Sequence, residues 1–401
     1  MQIISSRVHA AASSFEPIQQ FYFNSRYAEK RGSPDICDFT FGNPHETPLP
    51  GLVTAIQHHA TPLSKDWFAY KTSEPEPQEF LAERLSQELS ISFEPADIAL
   101  TTGAFAAIAV AFRLLLDAGE EAIFSTPAWF CYEPMLLAAD VVPKKVKLQV
   151  DRFDLDLSAI EAAVSPQTRL VIVNTPHNPT GRIYGGSQLV ELADLLNSAS
   201  ERIGRRIFLL SDEPYRRIRF DDGEFVSPAA IYPWTLIAYS YGKVLLAPGQ
   251  RLGYLALSPL MPRNDRRAIQ ASMFAVQAAL GWCFPNAVMQ YAVADLENLS
   301  IDMGTLSAKK TRMIDGLKKA GYEVLDPDGT FYLFCKCAGS DPEAFWNALA
   351  DDGVFVLPGS VMEVPGYFRI SLTATESMIE RSLPAFARAA QTMGQGQRPA
   401  A

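Results

Sequence analysis

The sequence predicts an α/β fold: a large domain on a mostly parallel sheet flanked by helices, followed by a smaller α+β domain. Three observations carry that expectation. Apolar runs such as Leu170-Val171-Ile172-Val173 and Ile207-Phe208-Leu209-Leu210 do not alternate with polar residues, as strands buried on both faces require. Stretches of helical spacing separate them, for example Leu189, Leu192, Leu195 and Leu196. Polar or glycine-containing turns punctuate the two, the pattern of a doubly wound sheet. With 401 residues, 48% of them hydrophobic, the chain can bury two cores.

In chain order, strands are predicted at 98–102, 121–125, 144–148, 169–174, 206–211, 235–239 and 252–257, with helices near 104–117 and 188–199. From about 285 the pattern changes. One or two long helices are expected over 285–319, then short strands at 322–325, 330–335, 354–357 and 367–371, with helices at 341–351 and 375–391. The expected division is an N-terminal segment 1–49 packing with the small domain, a large domain 50–285, a small domain 286–392 and a frayed tail 393–401.

Composition excludes several classes. The balance of 35 Lys+Arg against 45 Asp+Glu gives −10, and no dense basic run offsets it, so nucleic acid is excluded as a partner. Five cysteines show no zinc-ligand spacing and read as free thiols of a reducing compartment. The N-terminus lacks a signal-peptide core, and the most apolar helical stretch, 104–117, is too short to span a bilayer. The expectation is a soluble cytoplasmic protein with no membrane partner.

Ligands of open parallel sheets bind beyond the carboxyl ends of the strands. After the first strand stands Gly103-Ala104-Phe105, opening a helix whose free N–H groups suit a phosphate; alone it reads better as a tight turn before a helix. Trp129 follows the second strand and can stack on a planar ring or fill a core. His177, between Pro176 and Asn178, reads better as a structural hydrogen-bonder than as a base. Asp212, at the end of a buried strand, needs a cation there. Lys243, just past another strand, is either solvated or a nucleophile. Singly each has a plain reading. Together, a lysine, an aspartate, an aromatic, an amide–tyrosine pair and a phosphate turn with an arginine are the parts of a pyridoxal phosphate site.

At this point the sequence resembles the fold type I pyridoxal-phosphate aminotransferases of the class I/II family, from about Phe41 to Leu383. Its motifs are Asn174-Thr175-Pro176-His177-Asn178-Pro179-Thr180-Gly181, Asp212-Glu213-Pro214-Tyr215, and Ser240-Tyr241-Gly242-Lys243 with Arg251-Leu252-Gly253. The resemblance implies that Lys243 is the Schiff-base lysine and that Asp212 pairs with the pyridinium nitrogen. It makes Asn178 and Tyr215 hydrogen-bonders to the ring hydroxyl, and Trp129 the stacking aromatic. Gly103, Ala104, Ser240 and Arg251 form the phosphate cup, Phe105 adding its backbone N–H. Tyr70 reaches the neighbouring subunit's phosphate, which implies a homodimer with shared sites. Arg369, Asn178 and the Gly42-Asn43-Pro44 strip meet the substrate.

The implied reaction exchanges an amino group between an L-amino acid and a 2-oxo acid by a ping-pong mechanism, Lys243 moving the proton. Gly242, Phe105 and the glycine-free segment 71–78 depart from the common pattern without removing a necessary group. Trp282, Phe284 and Phe274 hint at an apolar or aromatic substrate pocket or at plain core packing. A lyase, decarboxylase or oxidase on the same scaffold is the alternative, since fold does not fix function. A non-catalytic sensor domain is the alternative of another class, and the want of a winged-helix segment or basic arm counts against it.

Overall fold

The computed structural model describes residues 3–221 and 223–395. Its strands are β1 (Cys37–Phe39), β2 (Ile98–Thr101), β3 (Glu121–Thr126), β4 (Val142–Lys147), β5 (Thr168–Asn174), β6 (Phe208–Asp212), β7 (Thr235–Ser240), β8 (Gly253–Leu257), β9 (Tyr332–Lys336), β10 (Val354–Pro358) and β11 (Tyr367–Ser371). A seven-stranded sheet runs in the order β2-β8-β7-β6-β5-β3-β4, and β8 alone is antiparallel to its neighbours. Alternate residues feed opposite cores. Leu170 and Ile172 of β5 pack with the helix Ala104–Leu115, whereas Val171 and Val173 pack with the helix Gly186–Ile203. Both faces are covered, which is why these strands read as unbroken apolar runs.

The second sheet has the order β1-β10-β11-β9, with β1 parallel to β10 and the other pairs antiparallel. The helix Glu376–Gln395 extends past the expected start of a frayed tail at 393; residues 396–401 of that tail lie outside the described residues. Among the described residues no helix is long and apolar enough to cross a membrane, and the five cysteines are free.

Two expectations are corrected. Residues 322–325 form no strand, only an isolated bridge between Val324 and Cys335. The chain is drawn away to the large domain, where Asp328 accepts from Arg182 (2.7 Å) and from the backbone N–H of Ile183 (3.0 Å). The expected long helix after 285 begins as two short ones, Ala287–Tyr291 and Val293–Glu297. Their Met289, Ala292, Val293 and Leu296 belong to the large-domain core with Leu52, Leu81 and Leu85, so the small core starts only at Ile301. The N-terminal segment meets both domains. Its helix Ser6–Asn24 sends Ile18 into a large-domain core, and Arg7 pairs with Asp140 (2.8 Å), while β1 joins the small sheet.

Candidate active site

A cavity of about 540 Å³ opens between the carboxyl edge of the large sheet and the small domain, a volume suited to a small-molecule ligand. It is lined by Gly42, Ala104, Phe105, Trp129, Asn178, Asp212, Tyr215, Ser240, Lys243, Arg251 and Arg369. Register explains the convergence. Asn174 pairs with Asp212 across β5 and β6, Asp212 with Ala238 across β6 and β7, and Ser240 and Lys243 follow directly.

At one end stands a turn built on close approach. Gly103 has φ +89°, a conformation side chains rarely adopt, and a Cβ there would lie 2.5 Å from the Arg251 guanidinium. Gly253, opposite both Thr101 and Ser240, admits this turn: a Cβ on it would meet the Tyr239 carbonyl oxygen at 2.1 Å and the Gly103 Cα at 2.8 Å. The arginine-x-glycine motif is thus an arginine held against a glycine turn. Gly242 has a packing reason too, since its Cβ would stand 3.0 Å from the Pro248 Cα.

Asp212 occupies the middle and is buried. The Tyr132 hydroxyl donates to its Oδ2, and the Asn174 amide donates to its backbone oxygen (2.8 Å) and to Oδ2 (3.4 Å). Oδ1 is buried without a partner. Burial pushes this carboxyl up to about 7; the Tyr132 bond and the Lys243 charge pull against that rise. His177 is buried, bonds to the Thr180 hydroxyl through Nδ1 (2.8 Å) and is pushed down to about 3 by burial, so it stays neutral and structural.

At the other end Arg369 is buried, its guanidinium 3.9 Å from the centre of the Tyr332 ring. It donates to Asn178 Oδ1 (2.8 Å) and the Thr40 carbonyl oxygen (2.8 Å), and its Nε has no partner. Arg251 donates to the Pro248 carbonyl oxygen (2.7 Å). Among the described residues neither arginine has a carboxylate partner, and buried charges are normally paired. Two guanidiniums without a carboxylate partner therefore line the cavity together with Lys243 and Asp212, one of whose carboxylate oxygens is unsatisfied. That donor set fits a planar group with an anionic arm at one end, a ring cation at Asp212 and a carboxylate docked at the other.

Tyr70 does not reach this cavity: it is 86% exposed, 4.8 Å from the Phe284 ring. Trp282, Phe284 and Phe274 are also half-exposed and off the cavity wall. Sequence reasoning missed Tyr132, Tyr332 and the aromatics Tyr22, Phe41 and Phe130, which line the cavity or hold its residues. Tyr132 carried a signal, being three residues past Trp129 on the turn after β3. Tyr332 carried none, because only the sheet pairing of Phe334 with Arg369 sets it diagonally beside the arginine.

Residues 34–386 match the family model described as aminotransferase class I and II. An aspartate/prephenate aminotransferase of Thermus thermophilus is 28% identical over 401 residues, covering 97% of this chain and 99% of the relative. An aspartate aminotransferase of Thermotoga maritima is 29% identical over 363 residues, covering 88% and 90%. A solved amino transferase from Eubacterium rectale has a TM-score of 0.87 at 27% identity, covering 98% of this chain and 100% of its own.

Proposed function

The chain belongs to the class I and II aminotransferases, and we propose that Lys243, Asp212 and Arg369 carry its chemistry. It is a pyridoxal-phosphate-dependent enzyme exchanging an amino group between an L-amino acid and a 2-oxo acid. The carrying observation for the residue roles is the pair of guanidiniums without a carboxylate partner, Arg251 and Arg369, which line one cavity together with Lys243 and Asp212, whose Oδ1 is unpartnered.

In this reading Gly103, Ala104, Ser240 and Arg251 hold the phosphate, with the Phe105 N–H at the same helix start. Trp129 covers the ring face, Asn178 and Tyr215 meet the ring hydroxyl, and Asp212 stays ionised against the ring nitrogen. The bound cofactor supplies an aldehyde that condenses with amines and a cationic ring that draws electrons from the substrate α-carbon. Arg369 grips the substrate carboxylate as a fork, steadied by Asn178, with Gly42 on the strip above. Lys243 takes the α-proton onto Nζ and returns it, acting as the general base and acid. The two half-exchanges use one site in turn, so double-reciprocal plots at several 2-oxo acid concentrations are expected to be parallel.

We further propose a homodimer in which Tyr70, exposed and remote from its own cavity, serves the partner's phosphate. Free thiols support a cytoplasmic setting. The test is the absorbance of protein supplied with the cofactor, with and without amino acids. Wild type is expected to show a visible-edge band that amino donors discharge, and Lys243→Ala to lack it. A wild-type protein with no such band would overturn the residue assignment.

A further inference from the structure

The cavity wall that remains after these roles are assigned is uncharged and rich in aromatic rings, with Asn43 and Asn174 its amides. Tyr22 and Phe41 stand on one side, ring centroids 5.5 Å apart and edge-to-face. Phe130 and Phe105 stand on the other, each packed on Trp129 at 6.5 and 4.5 Å. The cationic side chains lining the cavity are Lys243, Arg251 and Arg369, and each already has a task in the proposed reading. Arg31 lies 4.1 Å from the Tyr22 ring centre but does not line the cavity. A second substrate carboxylate entering this wall would lose its water and find no countercharge from this chain, which is costly. A phenyl or branched aliphatic side chain would instead bury apolar surface against rings.

We propose that this site selects L-amino acids with aromatic or bulky apolar side chains over aspartate and glutamate, and that Tyr22 and Phe130 set the preference. The proposal rests on the aminotransferase reading above. It places the selecting group partly on the N-terminal helix Ser6–Asn24, outside the motifs that hold the chemistry.

The test titrates the holoenzyme with phenylalanine, leucine, aspartate and glutamate, reading the change in cofactor absorbance. In parallel, calorimetry measures binding of the unreactive acids 3-phenylpropionate and succinate. Phenylalanine and leucine are expected to discharge the band at concentrations at least about tenfold below aspartate, and 3-phenylpropionate to bind at least about tenfold tighter than succinate. In Tyr22→Ala and Phe130→Ala both ratios are expected to shrink by about tenfold. Because each ratio is taken within one variant, partial loss of folded protein cancels. Aspartate discharging the band as well as phenylalanine, or succinate binding as tightly as 3-phenylpropionate, overturns the inference and leaves the aminotransferase reading standing. Ratios unmoved in both variants overturn the assignment to Tyr22 and Phe130. If no amino acid discharges the band while 3-phenylpropionate still binds selectively, the wall is as proposed and the residue roles in amino transfer fail instead.

Discussion

Asp212 has two carboxylate oxygens in opposite circumstances: Tyr132 and Asn174 hold Oδ2, and Oδ1 is bare. In the cofactor-free protein that asymmetry is a liability. Burial raises the folded-state value from 3.8 to about 7, so stability with respect to this group is whole below about pH 4 and falls as the pH climbs through about 7. The rise corresponds to roughly 4 kcal/mol. Cofactor-free Asp212→Asn is therefore expected to melt higher than wild type at pH 8 and to lose most of that advantage at pH 4, by calorimetry at both values. The holoenzyme should show the reverse at pH 8, because the variant loses the countercharge to the ring. Tyr132→Phe removes the donor on Oδ2 and should weaken cofactor binding by about 1–3 kcal/mol, read from a cofactor titration. Fluorescence or absorbance titration giving wild-type affinity would show that the Tyr132 bond does not orient the carboxylate. Lys243 and Asp212 were singled out in the sequence because their types at strand ends invite few other readings in combination, whereas Arg369, in the middle of β11, was singled out only by resemblance to the family. Tyr132 was signalled only by its place three residues past Trp129, since a tyrosine near a tryptophan is ordinarily core and only the fold brings its hydroxyl to the aspartate.

At the scale of elements, the expected strands of the large sheet were found with ends moved by one or two residues, the central ones because unbroken apolar runs admit no other placement. The run 322–325 carries Glu323 between Tyr322 and Val324, and its partners are decided elsewhere, by Asp328 and Gly329 bonding the 181–183 loop. No local pattern encodes that. The helix Ser6–Asn24 escaped the reading because Ala and Ser dominate its first half and Pro17 interrupts it, leaving its buried face to Phe15, Ile18 and Phe21. β8 is the element on which the phosphate end depends, since it runs antiparallel between β2 and β7 and brings Gly253 under the Gly103 turn. Gly253→Ala should cost at least about 1–3 kcal/mol in denaturant unfolding through overpacking against backbone. It should also raise the cofactor dissociation constant, because the turn and Arg251 must shift. An alanine variant with unchanged stability would mean that β8 can separate from its neighbours at no cost.

For the whole molecule, the apolar periodicity of 287–297 is the same whichever core receives it, and its residues join the cluster of Leu52, Leu81 and Leu85. The homodimer is tested by light scattering, where a mass of twice 44.1 kDa is expected. Tyr70→Phe should weaken cofactor binding in that dimer, and a fully active monomer would sink the shared-site proposal. Arg7→Ala, by contrast, should change stability by less than about 1 kcal/mol, since its pair with Asp140 is half-exposed on both sides. The helix carrying Arg7 also carries Tyr22 to the cavity mouth, while Lys243, Asp212 and Arg369 lie on strands and turns more than 180 residues further along the chain. If the proposed preference holds, its Tyr22 half is written in a stretch of the gene apart from the chemistry, while its Phe130 half adjoins Trp129. A chain of this design can then shift its diet by changes within its first two dozen residues, with its reaction inherited intact.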